Sequence, residues 1–137
     1  MPGREIASKT ESEIALNITI FSSNGILQGS VIDLQRSNAV LFAILAGEIV
    51  DGTHAFTFEE SEDVGFSSPI VITDNDLRGN VLANLVFTNA EEGTLQQVSL
   101  VNNKRFVRII VTTSGASTGG TLGAVAVKQD LSLTPTI

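Results

Sequence analysis

Arg105-Phe106-Val107-Arg108-Ile109-Ile110-Val111-Thr112-Thr113 alternates in twos. In an extended chain Val107, Ile109 and Val111 point to one side and Phe106, Arg108 and Ile110 to the other, which is the pattern of a β-strand with one face buried. The same texture recurs outward from this stretch in both directions. Thr, Val, Ile and Phe dominate the apolar segments, and Gly, Asn, Asp and Ser interrupt them about every 8 to 15 residues, a spacing expected of a sandwich or barrel. Upstream, Leu16, Ile18 and Ile20 alternate with Asn17, Thr19 and Phe21 and predict a strand whose first set is buried. Ser22-Ser23-Asn24-Gly25 turns the chain, and a second strand is expected over about 30–34. Ala39-Val40-Leu41-Phe42-Ala43-Ile44-Leu45-Ala46 is apolar on both faces and reads as a central strand, with a short helix as the alternative that Gly47 and the β-branched residues disfavour.

After the hairpin-type signal Asp51-Gly52, His54, Phe56 and Phe58 share one face of a further strand. Shorter strands follow over 69–73, 81–88 and 95–101, with a loop or single helical turn at Asp74-Asn75-Asp76. Ser114 to Gly120 reads as a hairpin tip before a closing strand over 122–127. The fold expected is all-β, a single antiparallel sandwich of about eight strands, jelly-roll-like, with no long helix. It spans 14–128, flanked by an N-terminal arm over 1–13 and a C-terminal tail over 129–137.

The 137 residues suit one domain and contain no cysteine, which excludes a disulfide scaffold, a thiol nucleophile and thiolate metal sites. Net charge is −7, divided unevenly: residues 1–76 hold 12 acids and 3 bases, residues 77–137 hold 3 acids and 5 bases. An acidic front half repels phosphate, so no nucleic-acid partner is expected. The separation of charge suits copies of one chain packing side by side. No stretch reaches the roughly 18 apolar residues of a membrane helix, and Met1-Pro2-Gly3-Arg4-Glu5 leads into no signal-like run, so neither membrane association nor secretion is expected.

Candidate chemistry is sparse. His54 is the only histidine, and as a strand residue beside phenylalanines it reads as structural; acid–base work would need partners that the sequence does not announce. Glu59-Glu60-Ser61-Glu62-Asp63 has the oxygens for Ca²⁺ but lacks the spaced Asp pattern of a calcium loop, and solvated charge is the plainer reading. The glycines between 115 and 123 precede no Lys-Ser/Thr and no helix, so they form no phosphate cradle. Without Trp or Tyr there is no usual stacking platform for sugars. No catalytic residue, metal or cofactor is expected. Asp33, an acid between Ile32 and Leu34, is expected to pair with a base, with Arg105 and Arg108 as candidates, or to accept backbone hydrogen bonds.

Three segments taken in order resemble small structural proteins of tailed-bacteriophage particles. They are Gly29-Ser30-Val31-Ile32-Asp33-Leu34; Gly47 to Asp63 with its Asp51-Gly52-Thr53 and Glu59-Glu60-Ser61-Glu62-Asp63; and Arg105-Phe106-Val107-Arg108 continuing to Gly115. The resemblance covers roughly 16–127 and implies a non-enzymatic virion component made in the host cytoplasm. Its form would be a capsid decoration or cement protein, homo-oligomeric (a trimer being one option) and bound to the major capsid protein or other virion proteins. A neck or tail component is the alternative position. A glycan-binding jelly roll and an enzyme are the readings from other classes. The residues expected to contact other subunits or the shell are Arg4, Ile6, Arg105, Arg108, Leu131, Leu133 and Ile137, the last three because a tail with alternating apolar side chains has surface to hide.

Overall fold

The structure, a computed structural model, describes residues 10–35, 37, 39–101 and 103–129. The strands are β1 (Thr10–Phe21), β2 (Gly25–Gln28), β3 (Ile32–Asp33), β4 (Ala39–Ile49), β5 (Thr53–Ser61), β6 (Ile70–Val71), β7 (Leu77–Arg78), β8 (Val86–Phe87), β9 (Leu95–Leu100), β10 (Phe106–Ser114) and β11 (Gly120–Gln129). Three single turns of 3-10 helix interrupt the stretch between β6 and β9, one of them over Asp74–Asp76. Two antiparallel sheets face each other. The first runs β1-β11-β4-β9-β7, and the second runs β2-β10-β5-β6 with β3 and β8 added to β10 and β5.

Setting aside β3, β7 and β8 but keeping the equally short β6, which ends the second sheet, eight strands remain. Numbered along the chain, they pair as 1-8-3-6 in one sheet and 2-7-4-5 in the other, which is the order of a jelly roll. The chain is therefore all-β, as its periodicity requires. The first sheet reaches beyond the boundaries read from the sequence. Thr10 to Glu13 pair with residues 126–129 of β11, so this part of the expected arm, and Gln129 of the expected tail, are strand.

The core lies between the sheets. Val107, Ile109 and Val111 point inward opposite Glu60, Phe58 and Phe56, and His54 faces Thr113 in the same series. Phe42 of the first sheet meets Phe58 of the second at 5.0 Å between ring centroids, and Phe56 meets Phe87 edge-on at 5.5 Å. Among the described residues every buried side-chain nitrogen and oxygen has a hydrogen-bond partner.

Two expectations change on folding. Leu16 is buried, but Ile18 and Ile20 are 78% and 65% exposed, and Phe21 is buried in their place. The register of β1 against β11 shifts between Ile14 and Leu16 and again before Thr19. Each irregularity turns the following side chains to the opposite face, so simple alternation fails there. The turn signals also act differently from hairpin tips. Ser22–Asn24 leads from β1 to β2, Asp51-Gly52 from β4 to β5, and the 115–119 loop from β10 to β11, and each crosses from one sheet to the other.

These three crossings meet at one end of the sandwich and are tied together. The Asp51 carboxylate accepts hydrogen bonds from the backbone N–H of Ser117, Thr118 and Gly119 and from the Ser117 hydroxyl, while Asn24 Oδ1 accepts from Ala116 N–H. The Gly119 amide, with the Ser117 hydroxyl and the neighbouring amides, holds the Asp51 carboxyl far below the usual carboxylate range. Gly119 takes φ +89°, open to glycine at little cost, and its carbonyl in turn accepts from Val50 N–H.

Candidate functional site

The positions of the first sheet that point away from the core form a surface of their own. They are Ser12 and Ile14 on β1; Thr121, Gly123, Val125 and Val127 on β11; Leu41, Ala43, Leu45 and Gly47 on β4; and Leu95, Gln97 and Ser99 on β9. None carries a charge. Charge returns at the rim, at Glu48 and at Arg78 on the edge strand. Leu45 and Leu95 are cross-strand neighbours and both more than half exposed, and Ile14 and Val125 form another pair.

This face is hollowed along its middle. A groove of about 430 Å³ has a floor that includes Ala43 and Gly123 and walls that include Ile14, Ile18, Leu45 and Val125. The bulge in β1 makes one wall by throwing Ile18 outward across β11. Gly123 leaves room for it, since a Cβ there would lie 3.0 Å from Ile18 Cγ1. Apolar walls, a floor of small residues and no charge make a surface with apolar area open to water and no charged group to direct a ligand.

Asp33 takes Arg105 as its base. The guanidinium donates from Nε to Oδ1 at 2.9 Å and from Nη2 to Oδ2 at 3.0 Å, with Nη2 also reaching Gln35. The hydrogen bonds from Arg105 lower the Asp33 pKa, and Asp33 in turn raises that of Arg105. Arg108 instead pairs with Glu59, its cross-strand neighbour in β5, at 2.8 Å, and lies 4.1 Å over the Phe66 ring. Its side chain is 14% exposed. Of the expected contact residues, Arg105 thus lies just before β10 and Arg108 on it, each with its Nε and Nη2 engaged within the chain. Arg4, Ile6, Leu131, Leu133 and Ile137 lie outside the described residues.

The other candidates have structural partners. His54 is fully buried, with Nδ1 3.0 Å from Thr113 Oγ1 and Nε2 3.2 Å from the Asp51 carbonyl oxygen. Among the described residues no carboxylate meets either ring nitrogen: the Asp51 carboxyl turns toward the 115–119 loop. The acidic segment diverges rather than converges. Glu59 pairs with Arg108, Glu60 accepts from Lys104 N–H, Glu62 lies 3.4 Å from Lys104 Nζ, and Asp63 accepts from Ser61 and Ser67. No cluster of three or more His, Asp or Glu side chains placed to hold a cation occurs among the described residues. Asp74 accepts from Leu82 N–H and fixes the start of a short helical turn.

Lys128 closes the far end of the sandwich. It is nearly buried, and its ammonium reaches Glu13 at 2.8 Å, Glu11 at 3.0 Å and the Asp33 carbonyl at 3.2 Å. Burial opposes its charge, but the hydrogen bonds to Glu13 and Glu11 outweigh that and raise its pKa.

The outer face of the first sheet is the feature that the linear pattern concealed. A strand apolar on both sides reads as doubly buried, yet Leu41, Ala43 and Leu45 face outward. The available signal was the agreement of β4 with β11, where Val125 and Val127 are also apolar at outward positions. No protein-family model matches the chain, and no curated protein matches it in sequence.

Proposed function

We propose that this chain is a non-enzymatic structural component of a tailed-bacteriophage particle, a capsid decoration or cement protein that self-associates and holds neighbouring shell subunits together. The observation that carries this reading is the uncharged, apolar outer face of the first sheet on a sandwich whose buried polar groups are satisfied. Such a face has no chemistry of its own and gains by being covered. Apolar burial contributes roughly 25 cal/mol per Å² to such a contact, offset by the freedom that the partners lose on association. The sequence resemblance to virion proteins supplies the setting, with the major capsid protein as partner.

The mechanism is linkage. A subunit that binds the assembled shell and not its dispersed parts shifts the equilibrium toward the shell, by about 2.7 kcal/mol for each site at a hundredfold excess over Kd. Repeated contacts on a symmetric lattice multiply modest affinities. The test is to prepare shells without this protein and measure the temperature at which they open, before and after adding it back. The reading predicts that depleted shells open at lower temperature and recover on addition. Equal robustness in all three samples would overturn it.

A further inference from the structure

We propose that the groove on the outer face of the first sheet is the seat of the segment Leu131–Ile137 of a second copy of this chain. This rests on reading that face as a protein contact and names what fills it.

The segment matches the groove in chemistry. Leu131-Ser132-Leu133-Thr134-Pro135-Thr136-Ile137 carries no charged side chain, and in extended form Leu131, Leu133, Pro135 and Ile137 would share one side, with Ser132, Thr134 and Thr136 on the other. One side is thus wholly apolar and suited to a groove walled by Ile14, Ile18, Leu45 and Val125. Pro135 lacks an N–H, so the segment would dock by its side chains and not as an interior strand of the sheet. The opposite end of the sequence is a poor occupant: Arg4, Glu5 and Lys9 would have to be buried in a surface that offers no counter-charge.

Direction selects a second copy. β11 ends at Gln129, paired with Thr10 and Ala39, whereas the groove lies behind it, at Val125 and Gly123. To enter its own groove the segment would have to reverse at Asp130-Leu131. A tight reversal favours Asn-Gly or Asp-Gly, and it would remove Leu131 from the apolar series. Continuing forward, the eight residues 130–137 span up to about 26–29 Å, enough to leave one sandwich and lie along another.

The experiment compares three proteins by sedimentation equilibrium: the full chain, a version ending at Gln129, and full-length Leu45→Lys. A fluorescent peptide of residues 130–137 is then titrated onto the shortened protein with and without Leu45→Lys. Leu45 is more than half exposed, so the substitution leaves the core intact, and circular dichroism verifies folding. The proposal predicts an oligomeric full chain, a monomeric shortened protein, and peptide binding weakened by about tenfold or more by the buried lysine. An oligomer that survives shortening but dissociates with Leu45→Lys would overturn the proposal while leaving the contact face in place. A full chain that is already monomeric, or a peptide that binds equally well to both forms, would also overturn it.

Discussion

The two sheets of this sandwich treat their outer faces in opposite ways. On the second sheet, Phe106 and Ile110 point away from the core and are nevertheless buried. Arg105 covers the first of them, its guanidinium 4.7 Å over the Phe106 ring, and on the same strand Arg108 pairs with Glu59 and lies over the Phe66 ring. Phe66, in the loop between β5 and β6, adopts φ +51°, an uncommon conformation for a bulky residue, and its ring is buried by doing so. Exposed apolar side chains such as Ile26 and Val71 remain at the margins. On the first sheet, no loop, ion pair or ring covers Ile14, Leu45, Leu95 or Val125 among the described residues. One face is thus closed by a loop and by arginines stacked on rings, and the other is left open and uncharged.

The largest expected effect lies beneath both faces. Phe58 is fully buried and meets Phe42 across the sheets, so Phe58→Ala should cost about 3–5 kcal/mol in chemical denaturation. A cost below 1 kcal/mol would mean that the sheets do not share one packed core, and the contrast between their outer faces would lose its basis. Smaller, and specific to the closed face, is Arg108→Ala. It leaves Glu59 partly buried without its base and removes the cation over Phe66, for a loss of about 1–3 kcal/mol. A neutral result would show that the second sheet's cover is incidental.

The fold was largely legible in the sequence because strand periodicity survives folding wherever the ladder is regular. Residues 106–111 and the Phe56-Phe58 face with His54 follow from side-chain alternation, whereas the acid at Asp33 announced a partner without choosing between Arg105 and Arg108. What was hidden depends on non-local geometry. The displaced register that exposes Ile18 and Ile20 arises from the pairing of β1 with β11, which local sequence does not encode. Asn24-Gly25 and Asp51-Gly52 announce a turn but not which sheet receives the next strand. Leu41, Ala43 and Leu45 would look the same under a second layer of protein as they do on an open face.

The smallest effect tests the tied end of the sandwich. Asp51 has a folded pKa below its unfolded value, because the amides of the 115–119 loop favour its charged form. Its contribution is therefore complete above about pH 4 and is lost as pH falls from there toward the folded value. Melting temperatures of the wild type and of Asp51→Asn should differ at neutral pH and converge below about pH 4. A difference that stays constant down to pH 2 would contradict the hydrogen-bonded role given to this carboxylate.

The claim that the bare face meets protein is tested most directly by hydroxyl-radical footprinting of the chain, first at high dilution and then on intact particles. Ile14, Leu45 and Val125 should label readily in dilute solution and become protected on the particle, while Phe66 and Phe106 stay equally protected in both. Unchanged labelling of Leu45 and Val125 on the particle would contradict the account.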